Sequence, residues 1–385
     1  MRRRQFLGLL ATSVAAGAGW TAGRRSARAA VERSTWWRPA PGNTLPPNRV
    51  VLEWRYLAGR ITAGAEDFGF VVSLAAFNSP LNDPPQLLVK RQDFSGAGEH
   101  RSRVYTGFLA YESVTASYTF VATDGAATVT WRYDAANQTY TLNLVSPEVT
   151  LANMTLVPQG DLIPEGGGGE IAIATFGSVD VRSDYYADWV AIRQGNTDVG
   201  TGRLDMQTIR PTGFVLPTGF SHHWFALAAE VSGAPVWISA WRLVSDRAFW
   251  AVSIARGSGA TWNVEAFTET STGVAYPLTV ELLTRQQQPV PIGMPPRRTG
   301  RRWRLTAGRN APGDVLDVTP GVPEGQFITG ARVSSSLAMA PLMQEAIGDE
   351  FRGVVQGQPL NRPRLIVAES TFSEPANTWL PLIRR

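Results

Sequence analysis

The chain has 385 residues, with 36 Lys plus Arg, 32 Asp plus Glu, three His and no cysteine. Without cysteine there can be no disulfide, thiolate metal site or thiol nucleophile, and three histidines are too few for a His-rich metal centre. The formal charge of +4 is misleading: residues 1–30 hold six Arg and no acid, and beyond them 30 basic residues face 32 acidic ones, a net of −2 that argues against a nucleic-acid partner.

In chain order, the first element is a leader. Arg2-Arg3-Arg4-Gln5-Phe6-Leu7 opens it, an apolar run to about Trp20 follows, and Ala27-Arg28-Ala29 offers a small-residue cleavage site. The paired arginines before Gln-Phe-Leu mark the twin-arginine variant, which carries folded proteins. The apolar run is shorter than the ~20 residues that cross a bilayer. The expectation is an exported protein, periplasmic or extracellular. Whether the leader is removed or kept as an anchor stays open, and so do peripheral membrane contact and the oligomeric state.

From residue 50 onward the pattern is strand-like. Segments 50–57, 68–77, 103–109, 117–122, 127–133, 138–144 and 149–157 follow one another, with 78–85 read as a proline-rich loop. Asp124-Gly125 and 134–137 are hairpin turns. Gly166–Gly169 is a flexible break; with no strand–helix context and no Lys behind it, it is not a phosphate loop. Segments 185–193 and 202–206 come next. Then 221–243, SHHWFALAAEVSGAPVWISAWRL, reads as two strands joined by a turn at 232–235. Further strands are expected at 248–255, 261–268, 276–283, 301–305, 315–318, 326–333 and 365–370. The only helical pattern of any length is 338–351, limited by Pro341. Many short strands at such spacing indicate a sandwich or barrel.

A Trp-Arg pair recurs at Trp54-Arg55, Trp131-Arg132, Trp241-Arg242 and Trp303-Arg304. Each predicts a strand with the tryptophan buried and the arginine wet. Two copies fall in each half, which suggests a duplicated β architecture.

Four stretches carry a family resemblance. They are 184–193 (DYYADWVAIR) followed by Gly200-Thr201-Gly202-Arg203-Leu204, then 221–243, 299–320 (TGRRWRLTAGRNAPGDVLDVTP) and 325–333. Their order resembles the AttH-like and carotenoid 1,2-hydratase (hydroxyneurosporene synthase) family. The resemblance implies an all-β fold of two lipocalin-like antiparallel β-barrels in tandem. The division expected is a leader at 1–30, an N-terminal lipocalin-like domain at 31–215 and a C-terminal one at 216–385. Two features depart from the family. Ser221-His222-His223-Trp224 stands where the family has an Asp-His-Glu-Trp-like motif, so the acids are missing. The Gly-Tyr-x-Glu ending is absent too, with Glu345, Glu350 and Glu369 the nearest acids.

The resemblance further implies an apolar, isoprenoid or lipid-like small-molecule ligand, and hydration, isomerisation or cyclisation with no metal and no cofactor. Such chemistry needs an acid for the alkene, a base for water and a π-face that tolerates a cation. The candidates are His222 or His223 as acid/base with Asp184 or Asp188 as partner. Trp224, Trp241 and Tyr186 would be walls, with Tyr185 and Trp189 of the same Tyr-Tyr strand as ligand contacts. Three readings stay open: an enzyme of that kind, a non-catalytic lipocalin-like carrier or envelope protein, and a carbohydrate-active sandwich, for which no facing carboxylate pair is evident. Ser221 lacks a Gly-x-Ser-x-Gly elbow, which argues against a serine hydrolase.

Overall fold

The computed structural model describes residues 32–39, 52–77, 84–95, 99–165, 169–176, 179–210, 221–244, 248–256, 261–269, 278–288, 297–307, 316–322, 328–329, 343–348, 350–355 and 357–371. The leader and the domain boundary at 215/216 lie outside them. None of the described helices is long and apolar enough to cross a membrane.

The fold is all-β, with lipocalin-like antiparallel halves in tandem. The first half opens with a five-residue helix, α1 (Arg33–Trp37). Its strands are β1 (Leu52–Ala63), β2 (Glu66–Phe77), β3 (Gln86–Asp93), β4 (His100–Glu112), β5 (Ser117–Ala122) and β6 (Thr128–Asp134). They continue as β7 (Thr139–Val145), β8 (Thr150–Pro158), β9 (Ile163–Pro164), β10 (Glu170–Phe176), β11 (Val179–Gln194) and β12 (Thr197–Arg210). Ten of them close into a barrel: β11, β12 and β1 to β8 in order, with β8 returning to β11 through pairs such as Ile192 with Leu156. β9 and β10 attach to β11 alone.

Period-two burial explains the wall. In β5 and β6 inward Tyr118, Phe120, Val129, Trp131 and Tyr133 are buried, while Thr119, Val121, Thr128 and Arg132 face out. The hairpins close on the residues their turns demand. Asp124 Oδ1 accepts the Ala126 N–H at 3.0 Å, and Asp134 Oδ1 accepts that of Ala136 at 3.0 Å.

The second half has β13 (Ser221–Val231), β14 (Ala234–Val244), β15 (Ala248–Arg256), β16 (Thr261–Glu269), β17 (Thr279–Gln288) and β18 (Arg297–Ala307). After these come β19 (Leu316–Gly321), β20 (Ile328–Thr329), β21 (Met343–Gly348), β22 (Glu350–Val355), β23 (Gln358–Pro359) and β24 (Asn361–Thr371). A seven-stranded sheet, β16-β15-β14-β13-β24-β21-β20, and a five-stranded one, β17-β18-β19-β22-β23, enclose one core. Phe225, Leu227, Ile238 and Ile366 of the larger sheet meet Trp303, Leu305, Leu316 and Val318 of the smaller.

Several expectations are corrected. The described part of 338–351 is strand, not helix: β21 pairs with β24 from Met343 to Gly348, so ladder partners override a weak local helical pattern. The turn after β13 is only Ser232-Gly233, both at positive φ (51° and 81°), as a two-residue hairpin turn requires; pairing resumes at Val231 with Ala234. Strands β3 and β10 and helix α1 were not foreseen. Arg55 breaks the Trp-Arg rule, because it is 2% exposed. β1 is covered on both sides. Leu57 faces the barrel core, while Tyr56 and Ala58 face the second half.

Candidate functional site

The two halves meet across a shared apolar layer. β1 supplies Tyr56 and Ala58, and β11 supplies Tyr185, Ala187 and Trp189. β13, β14 and β24 supply Trp224, Ala226, Ala228, Trp237, Trp241, Leu365 and Val367. The aromatic rings interlock edge to face across it. Tyr56 meets Trp224 at 6.0 Å and 87°, and Tyr185 meets Trp241 at 5.3 Å and 84°.

A charged cluster lies inside this layer. On β12, Leu204 and Met206 point into the first barrel, so Arg203 and Asp205 must point the other way, into the seam. Arg203 is fully buried. Its Nε donates to Asp205 Oδ1 at 2.8 Å and its Nη2 to Glu165 Oε1 at 2.5 Å. Tyr185 donates to Asp205 Oδ2 at 2.8 Å, and Ser239 of the second half donates to Glu165 Oε1 at 3.0 Å. The guanidinium sits 5.4 Å from the ring centroid of Trp189 and 5.1 Å from that of Trp224. Ala226, opposite Ser239 on the neighbouring strand, leaves room for these groups.

Glu165 follows the short strand β9. It is held by the Gly169 N–H donating to its carbonyl at 2.9 Å, while the Gly169 carbonyl accepts from Tyr185 N–H at 2.7 Å. Gly169 has φ +74°, and a Cβ there would stand 2.3 Å from the Tyr186 ring, so only glycine fits.

One guanidinium serves two carboxyl groups. Burial pushes the Asp205 carboxyl up to about 6; Arg203 opposes this and the charge of Glu165 adds to it. Burial, then Asp205, hold the Tyr185 phenol far above its usual range, so it remains a donor. Four buried polar atoms around Arg203 have no hydrogen-bond partner: Glu165 Oε2, Arg203 Nη1, and the indole nitrogens of Trp189 and Trp224. Each such atom costs about 1–3 kcal/mol unless something satisfies it.

The expected site residues are distributed over three surroundings. Tyr185, Trp189, Trp224 and Trp241 stand together at the seam. Tyr186 points into the first barrel against Trp36, at 6.4 Å. Asp188 is buried there too, bonded to Arg33 and Tyr140. Asp184 is half-buried on the same strand and accepts from Thr208 at 3.4 Å. His223 alternates with Trp224, on the side of β13 that carries Phe225 and Leu227 into the second-half core. Burial, then Arg242, push its imidazole down to about 4, so it is neutral near pH 7. His222 pairs with Leu243 in the ladder, and its side chain lies outside the described residues. His223 and Asp184 are therefore not brought to one point.

Sequence reasoning missed Glu165, Arg203, Asp205 and Ser239. The Arg-x-Asp-x-Gln alternation at 203–207 was a usable signal, but charges alternating with apolar residues ordinarily mark a wet face. Among the described residues, no three His, Asp or Glu side chains gather closely enough to hold a metal ion. Two clefts of about 400 and 300 Å³ lie on the first barrel, against Tyr105 and Asp124 and against Arg38 and Tyr133, away from the seam.

No protein-family profile and no curated protein matches this chain. Solved structures do. A candidate AttH protein from Nitrosomonas europaea superposes with a TM-score of 0.55 at 14% identity, over 89% of this chain and 97% of the other. Kievitone hydratase from Nectria haematococca gives 0.50 at 11% identity, over 83% and 89%. At these identities the likeness establishes a shared tandem lipocalin-like fold.

Proposed function

We propose that the seam between the halves is a ligand site, and that this chain handles an apolar small molecule there without a cofactor. The observation that carries the reading is the set of four unpartnered buried polar atoms around Arg203. Two indole N–H groups and a guanidinium N–H offer donors, and Glu165 Oε2 offers an acceptor. Burying them against pure hydrocarbon would leave every one of these costs in place. The preferred ligand is therefore isoprenoid or lipid-like with one oxygen-bearing group. The seam residues are covered, so entry requires the halves to part locally.

In this reading the acid/base role moves from the histidines to the carboxyl pair. Glu165 Oε2 is buried without a partner and is the oxygen that would meet a guest. Burial pushes the Asp205 carboxyl up to about 6, which lets it exchange a proton near neutral pH. The faces of Trp189 and Trp224 are already engaged by the Arg203 guanidinium, so a guest would meet their indole N–H groups rather than a vacant π-face. Hydration, isomerisation and cyclisation all fit these parts. That one solved structure of the same fold is a hydratase is compatible with this reading and carries no more weight than the fold.

A carrier is the second reading, favoured by one observation. Arg203 already bridges Glu165 and Asp205, and Ser239 ties them to the other half, as a structural clamp would. Isotope labelling separates the two. The protein is incubated with candidate alkenols in deuterated, ¹⁸O-labelled water. A hydratase introduces both labels, an isomerase only deuterium, and a carrier neither. A Glu165→Gln variant that keeps full labelling would remove Glu165 from the chemistry.

A further inference from the structure

The interior of the first barrel is occupied by the chain's own α1. Trp37 is fully buried, with its ring 5.5 Å from Tyr118, 5.5 Å from Trp131 and 5.1 Å from Tyr140. Arg33 reaches the far wall and grips the buried Asp188 with both arms, Nε to Oδ2 at 2.7 Å and Nη2 to Oδ1 at 2.8 Å. Tyr140 completes that carboxylate at 2.7 Å.

The manner of holding is that of a ligand. Among the described residues, Thr35 and Trp36 N–H donate to the Glu32 carbonyl, and no backbone–backbone hydrogen bond joins α1 to a barrel strand. The helix has no side-chain cap and is too short to persist alone. Among the described residues, the hydrogen bonds that tie it to the barrel run through side chains. Trp37 Nε1 donates to the Ala116 carbonyl at 2.8 Å, Tyr118 donates to the Trp37 carbonyl at 3.0 Å, and Arg55 donates to the Arg38 carbonyl at 3.2 Å. A core strand, by contrast, would share a ladder.

We infer that the first barrel is a second recognition site, built for an aromatic cation, and that the Arg33–Trp37 segment fills it as an internal, displaceable ligand. The cup supplies the two matching features, a buried carboxylate and an aromatic box, and Tyr140 belongs to both. Burial already raises the Asp188 carboxyl, against the pull of Arg33 and Tyr140, so an emptied cup takes up either a proton or a new cation. This is independent of the seam and requires nothing of it.

The test uses the full chain carrying Arg33→Ala and Trp37→Ala, probed with tryptamine, which joins an indole to an ammonium. Indole-3-propionate, with the same ring and opposite charge, is the control. Tryptamine should raise the melting temperature of the double variant and bind it measurably, while the parent shows no response. Adding Asp188→Asn should weaken binding about tenfold or more. Equal binding of the two probes, or none, overturns the inference.

A second measurement covers the case in which the double variant does not fold. A protease site is inserted between residues 40 and 50 and cut after folding, and the nicked protein is held just below its melting temperature with an isotope-labelled peptide of residues 31–39. Exchange of labelled for resident segment, read by mass spectrometry, supports a displaceable ligand. Retention of the original segment until global unfolding makes α1 an integral piece of core and contradicts it.

Discussion

Ser239 of the second half donates its hydroxyl hydrogen to Oε1 of Glu165 in the first, at 3.0 Å, within a layer of tryptophan and tyrosine rings. The acceptor oxygen is also held by Arg203, so two halves with separate cores share one buried ionic cluster. That bond makes the seam more than an apolar contact and sets the first test.

Ser239→Ala removes one of two donors to an oxygen that keeps its guanidinium, and should cost about 1 kcal/mol. Arg203→Met strands two buried carboxyl groups and should cost about 3–5 kcal/mol. Arg203→Lys should fall between, since one ammonium cannot reproduce a fork that reaches both acids. Urea unfolding of the three variants checks the order. A Ser239→Ala loss as large as that of Arg203→Met would mean the cluster is not organised around the guanidinium.

The pH profile should carry two opposed contributions. Asp205 is raised from 3.8 to about 6 in the fold, so between those values the native state holds more protons than the unfolded chain. Its contribution to stability therefore falls as pH rises through this window. His223 and His100 are lowered from 6.5 to about 4, chiefly by burial. Their contribution is complete above 6.5 and is lost as pH falls toward 4. Asp205→Asn should flatten the first limb and His223→Gln reduce the second, both visible in melting temperature against pH. Unchanged limbs in both variants would place these groups in water.

Gly169→Ala should destabilise by more than the ~1 kcal/mol of an ordinary glycine substitution, since it meets both the positive φ and the Tyr186 ring. Pairing it with Tyr186→Ala should recover the steric share and leave the backbone share. A double-mutant cycle measures the difference. Strict additivity would show that the ring is not the obstacle.

A surface pair gives the contrast. Arg304 meets Asp317 with two hydrogen bonds, at 3.0 and 2.7 Å, on an exposed stretch of β18. Arg304→Ala should cost under about 1 kcal/mol and lose its effect in 1 M salt, whereas the Arg203 penalty should survive. Equal salt sensitivity would contradict the buried placement of Arg203.

Much of the fold could be read from residue order because alternation is a local property. Strand β5 is legible at both ends, 117 and 122, and the hairpin β13–β14 follows from the turn signal at 232–235 between two apolar runs, although the turn itself is only Ser232-Gly233. The failures came where a distant partner decided the outcome. Residues 343–348 are strand because β24 lies beside them, and Arg55 is buried because Trp37, from another part of the chain, occupies the barrel. The seam aromatics Tyr185, Trp189, Trp224 and Trp241 stood out by type and spacing. Glu165 and Arg203 did not. A glutamate before a glycine run and a charge in an alternating strand both look solvated until a second domain covers them.

In the proposed function the seam holds an oxygen-bearing apolar guest against Glu165 and Arg203. The most direct measurement is native mass spectrometry of the full chain after exposure to a lipid extract, with parent, Glu165→Gln and Trp224→Ala proteins compared. One adduct per chain is expected in the parent, an oxygenated isoprenoid or lipid-like molecule, with its loss or sharp weakening in both variants. The same adduct at the same strength in all three proteins, or none in the parent, would contradict the proposed function.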